Sequence, residues 1–112
     1  MRWEGGDLMD EIVVFITAPN EYEAARIAKT LVEARLAGCA NIIKDIRSIY
    51  NWHGKIEDEK EILMVIKTQK KLFNLLMEKV KELHSYTVPE IIALPIITGS
   101  RDYLKWLNEV TG

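Results

Sequence analysis

CANIIKDIRSIYNW, Cys39 to Trp52, and IEDEKEILMVIKT, Ile56 to Thr68, are the two stretches on which the fold turns. Both are rich in β-branched residues and read as long strands, with Gly54 marking the turn between them. The second has a charged middle, Glu57 to Glu61, and an apolar end, ILMVI. Setting Trp52 against Ile56 sets Ile46 against Ile62, Ile42 against Ile66 and Arg47 against Glu61. A register one residue tighter sets Arg47 against Lys60, and like charges directly opposite are unfavourable, so the first register is expected. Fourteen residues at roughly 3.3 Å each span about 46 Å. A compact domain of this size has a radius of gyration of about 13 Å, hence a diameter near ~35 Å. The hairpin tip therefore bends or projects. It carries Ile49, Tyr50, Trp52 and Ile56, which are costly to leave in water. A partner subunit is the simplest cover; a sharp bend that folds the tip home is the alternative.

The flanking segments complete the pattern. Ile12 to Ile16, IVVFI, reads as a central strand buried on both faces. Asn20 is a good N-cap, with Glu23 placed as in a capping box. Ala24, Ile27, Ala28, Leu31, Val32 and Leu36 then form a helical stripe that Gly38 is expected to stop. Lys70 to Leu83 reads as a second helix, with Leu72, Phe73, Leu76, Val80 and Leu83 on its buried side. Pro89 disfavours helix at Val88, so this helix ends near His84 and a loop precedes a short strand, Ile91 to Leu94. Asp102 to Val110 reads as a terminal helix. Met1 to Asp10, with Gly5-Gly6, reads as a loose tail before one domain over 11–112. Strand, helix, strand, strand, helix, strand is the split βαβ, ferredoxin-like α+β arrangement. Two helices on one face leave the other face in need of cover, which again points to association.

Bulk properties narrow the function. Net charge is −2 with basic and acidic residues nearly balanced, so no basic field favours nucleic acid. A single cysteine permits no internal disulfide. The longest apolar run, Ile91 to Ile97, holds seven residues and is interrupted by Pro95, too short to span a membrane. The start, MRWEGGDLM, lacks a signal-peptide apolar region, so the cytoplasm is the expected compartment.

Six stretches stand in a familiar order and spacing: Thr17-Ala18-Pro19, Cys39-Ala40-Asn41-Ile42, Tyr50 to Glu57, Ile66-Lys67-Thr68, His84 to Ile91 and Tyr103-Leu104-Lys105-Trp106. Through them the chain resembles the CutA family, the divalent-cation tolerance proteins, from Glu11 to Val110. The resemblance implies a ferredoxin-like subunit in a tight homotrimer whose long hairpins wrap neighbours, an architecture similar to PII signalling trimers. It implies a link to tolerance of copper and other divalent metals, which members bind, and it brings no well-established catalytic reaction. Two departures matter. Ser85 and Thr87 stand where members often have Pro and an acidic or amide residue. Ile16 and Leu83 stand where some members carry a cysteine and a second histidine, so a copper site built on those ligands does not carry over.

The candidate residues divide by chemistry. His84 is the best single metal ligand, since imidazole suits Cu, Zn and Ni; otherwise it interacts with the helix C-terminus. Glu90, beyond Pro89, is its candidate co-ligand or a carboxylate that accepts loop N–H groups. Tyr86 lines a cleft or bonds across an interface. Cys39 is a soft ligand or a small buried hydrophobe. Lys67 ends an apolar strand and can meet an anionic group in a cleft. Trp52 belongs to the core, an interface or a ligand cleft. One Cys, one His and one Glu on three elements do not make a closed zinc site. The first expectation is a cytoplasmic homotrimer that binds Cu(II) or another divalent transition metal with modest affinity, with no metal needed for folding and no nucleic acid or membrane partner. The second is a PII-like signalling or scaffold trimer holding a small molecule or an unknown protein partner at its intersubunit clefts. The third, an enzyme using His84, Tyr86 and Glu90 as acid–base groups, ranks last because no nucleophile with a positioned base is visible.

Overall fold

The computed structural model describes residues 10–112, so all but the last residue of the tail read at 1–10 lies outside the described residues. Its elements are β1 (Glu11–Ala18), α1 (Glu21–Glu33), β2 (Cys39–Trp52), β3 (Lys55–Gln69), α2 (Phe73–Leu83, after a 3-10 turn at Lys70–Leu72), β4 (Ile91–Pro95) and α3 (Arg101–Glu109). The four strands form one antiparallel sheet in the order β2-β3-β1-β4, the ferredoxin-like topology expected from the element order.

Alternation along the strands fixes the layers. Ile12, Val14, Ile16 and Ala18 of β1 and Ile62, Met64 and Ile66 of β3 are buried against Ala24, Ile27 and Leu31 of α1 and Leu76 and Val80 of α2. The intervening residues Val13, Phe15, Leu63 and Val65 are only half-buried. The expectation that IVVFI is buried on both faces therefore holds for one face of this chain. The other face carries Phe15 beside Val65 and Ile92, and Val13 beside Leu94, with Ile92 and Leu94 exposed.

The helix ends show which local rules won. Asn20 caps α1 as expected, its side-chain oxygen accepting from the Glu23 N–H at 2.8 Å. The stop comes at Arg35, not Gly38. Arg35 takes the left-handed conformation (φ 61°) and the Leu36 N–H closes back on the Leu31 carbonyl at 2.9 Å. A non-glycine residue is held there by its side chain. The Arg35 guanidinium donates to the Gly112 and Glu109 carbonyls at 2.8 and 2.9 Å, tying the end of α1 to the end of α3.

The hairpin register differs from expectation. Trp52 pairs with Lys55, Arg47 with Lys60 and Ile46 with Glu61; after a bulge between Ile43 and Ile46, Ile43 pairs with Leu63. The cause is the two-residue turn. His53 (φ 53°) and Gly54 (φ 80°) both have positive φ, the type I′ geometry that matches strand twist and closes the strands at Trp52 and Lys55. The like-charge objection dissolves diagonally. Arg47 reaches past Lys60 to Asp58 and makes a bidentate pair, 2.8 and 2.7 Å. Asp45 (φ 60°) supplies the bulge. The arm does project: the principal extents are 47 × 30 × 22 Å and the radius of gyration is 15.0 Å. A Cβ on Gly54 would meet nothing within 4 Å. Gly54→Ala should therefore cost backbone strain alone, about 1 kcal/mol, read as a lower urea midpoint with an unchanged slope.

Candidate functional site

The loop after α2 is anchored from below. His84 leaves the helix in extended conformation and its ring is buried. Its Nε2 donates to the Thr17 carbonyl of β1 at 2.7 Å, and its Nδ1 accepts the Tyr86 N–H at 3.0 Å. These partners assign the neutral, Nε2-protonated tautomer. Glu23 Oε2 of α1 lies 3.2 Å from the same Nδ1, but it is satisfied by the Ser85 N–H and hydroxyl, at 2.9 and 3.0 Å. The expected capping-box role of Glu23 thus gives way to a long-range one. Arg26 adds a hydrogen bond to the Leu83 carbonyl at 2.8 Å.

Above this anchor, Tyr86 reaches into a cleft of about 750 Å³ between the loop and the hairpin arm, from Glu61 outward to Trp52. The walls are aromatic and acidic: Tyr50, Trp52 and Tyr86 with Glu57, Glu59, Glu61 and Glu90. The Tyr86 hydroxyl donates to Glu61 Oε2 at 2.8 Å, and the Tyr50 hydroxyl donates to Glu59. Burial, then Glu61, pushes the Tyr86 phenol well above the ordinary tyrosine value. The bond to Glu59 pushes Tyr50 up to about 12. Both phenols therefore stay protonated donors at neutral pH. Arg47 also lines the cleft, but its guanidinium is committed to Asp58.

Of the residues singled out from sequence, Trp52, Tyr86 and Glu90 meet in this cleft. Cys39 and Lys67 face each other across β2 and β3, and Lys67 lies six residues along β3 from Glu61, about 20 Å away. There Lys67 and Cys39 both contact Asn41, and Tyr103 of α3 touches Cys39. His84 lies beneath the cleft with both nitrogens engaged by backbone atoms, so in this conformation it offers a metal no free lone pair. Among the described residues no three His, Cys, Asp or Glu side chains group closely enough to hold a metal ion. A closed metal centre therefore does not fit the described residues of one chain. Glu61, Thr17 and Glu23 were not singled out from sequence. Glu61 reads as one member of a solvated charge run, and only the register places it in the cleft.

The fold and this cleft define a ferredoxin-like domain with a long hairpin arm and an acidic, aromatic cleft along it. The sequence matches, over residues 12–110, the family described as CutA1 divalent ion tolerance protein, and the chain belongs to that family. It is 54% identical over 102 residues to the divalent-cation tolerance protein CutA of Thermus thermophilus, covering 91% of this chain and 99% of the relative. It is 52% identical over 97 residues to the mouse protein CutA, covering 87% of this chain and 55% of that longer protein. The crystal structure of CutA1 from Oryza sativa matches the fold with a TM-score of 0.90 at 43% identity, over 94% of this chain and 96% of that one. Among the described residues no helix is long and apolar enough to cross a membrane.

Two outcomes follow for the site. Glu23→Ala removes the acceptor of both Ser85 donors and should lower stability by about 1–3 kcal/mol, measured by urea unfolding. Tyr86 has a raised folded-state pKa, so the stability tied to its proton is intact below the ordinary tyrosine value, about pH 10, and is lost as pH rises beyond it. Unfolding midpoints should therefore fall less between about pH 9 and 11 in Tyr86→Phe than in the parent chain.

Proposed function

We propose that the chain serves divalent-cation tolerance as a homotrimer whose acidic clefts take up divalent transition-metal ions weakly, copper-type ions included. One observation carries this reading. Among the described residues four carboxylates line the cleft, and the one cationic side chain in its wall is already neutralised by Asp58. Such a cleft concentrates cations by pooled charge rather than by a closed ligand set. Oxygen ligands without imidazole or thiolate give modest selectivity among divalent ions. In this proposal the ion is taken up diffusely by the pooled charge of Glu57, Glu59, Glu61 and Glu90 rather than chelated by any three of them, and His84, the ligand expected from sequence, positions the loop that carries Tyr86. The family membership supports the cation link, and the name supports nothing finer.

The oligomer is supported by what one copy leaves uncovered. Ile43, Ile92 and Leu94 on the open sheet face and Ile49 and Ile56 on the arm are exposed, and both sheet edges, β2 and β4, are unpaired. A further copy of the same chain covers apolar face and edges together.

Calorimetric titration of the metal-free chain with Cu(II) tests the site. The expected result is weak binding that Glu90→Gln and Glu59→Gln reduce and that His84→Asn, read on folded protein, leaves in place. Tight stoichiometric binding lost only in His84→Asn would return the ion to the histidine. Sedimentation at micromolar concentration tests the assembly, and a monomer there would remove the trimer from the proposal.

A further inference from the structure

The cleft holds more than a metal ion needs. An inorganic cation wants three or more ligand atoms converging within bond distance. Here the carboxylates are spread along the walls, and no three of them group that closely among the described residues. The volume, about 750 Å³, falls in the range of sites for small organic molecules. Three aromatic side chains, Tyr50, Trp52 and Tyr86, line the same space, and Trp52 and Tyr50 are more than a third exposed.

Glu61 gives the second, separate indication. It is 6% exposed, among the most buried charged residues of the chain. One of its oxygens accepts from Tyr86. The other has no hydrogen-bond partner among the described residues, yet no fully sealed side-chain oxygen lacks a partner. That second oxygen is therefore reachable from the cleft that Glu61 lines. A carboxylate held mostly out of water, with one acceptor open to the cleft, favours a donor of opposite charge at that oxygen.

We infer that the cleft binds an organic cation of the alkyl diamine or polyamine class. One ammonium group sits on the free oxygen of Glu61. The alkyl stem lies against Trp52 and Tyr50, whose faces attract the cation's charge. A second ammonium reaches Glu59, Glu57 or Glu90. Spread carboxylates, which suit a compact metal ion poorly, match the spaced charges of such a ligand. The inference rests on the cleft being the cation site, and it names a class of cation beyond the divalent metals.

The test is calorimetric titration of the full chain with spermidine at fixed ionic strength, beside 1,4-butanediol and Cu(II). Saturable spermidine binding is expected, with none for the diol. Trp52→Leu, on the exposed arm, and Glu61→Gln should each weaken spermidine about tenfold. Trp52→Leu should weaken spermidine more than Cu(II), which makes no use of the indole face. If Glu61→Gln misfolds, Glu59→Gln, at an exposed position, replaces it with the same expectation. Cu(II) binding without spermidine binding overturns this inference and leaves the metal reading standing. Binding of neither cation overturns both. Spermidine binding indifferent to Trp52→Leu, or abolished by modest salt, also overturns it, since it would then be surface charge alone.

Discussion

The hydrogen-bond register between β2 and β3 is held at two points, the turn at His53-Gly54 and the bulge at Asp45, and the rest of the site depends on it. Side chains alternate between the faces of a strand, so a slip of one residue would carry every arm side chain to the other face. With the observed register, Tyr50, Trp52, Glu57, Glu59 and Glu61 share one face and the Arg47–Asp58 pair takes the other. The first face becomes a cleft wall. The second pairs Arg47 with Asp58, so that Arg47, although it borders the cleft, is already neutralised and the cleft retains its negative charge.

The opposite wall depends on helix-to-strand contacts rather than on strand pairing. Thr17, near the end of β1, presents a carbonyl to His84, while Glu23, in the first turn of α1, receives both donors of Ser85. These bonds tie the loop to two elements that the core already fixes. Tyr86 is therefore aimed at Glu61 by His84, Glu23 and Thr17, of which only Thr17 borders the cleft. That is the arrangement by which a surface loop acquires a defined geometry without regular structure of its own.

Most of the fold was legible in the residues. Periodicity and capping chemistry located the elements, and the length of the hairpin alone required an arm that bends or projects. Register was less legible because two local terms conflicted. The like-charge pair Arg47–Lys60 argues against the true alignment, whereas the two positive-φ residues of the turn, His53 and Gly54, favour it and decide the folded chain. The end of α1 was misplaced for a similar reason: a glycine is the usual stop, and Arg35 adopts the left-handed state because distant carbonyls hold its side chain. Of the site, Trp52, Tyr86 and Glu90 were in view. Glu61 and Glu23 were hidden because each has an ordinary local role, charge run and helix start, and their chemistry comes from residues far along the chain.

The topology also sets an order of assembly in time. Contacts within the hairpin join neighbours in sequence, whereas β1 meets β4 only when Ile12 finds Pro95, and the end of α1 meets the end of the chain only when Arg35 finds Gly112. Closing a short loop costs less entropy than closing a long one, so the hairpin pairs early and the sheet is completed late. During that interval the arm's apolar residues are presented to solvent and to other nascent chains. Lys44, Arg47, Asp58 and Lys60, placed among them, then act as gatekeepers that keep a half-folded chain from pairing edge to edge with another.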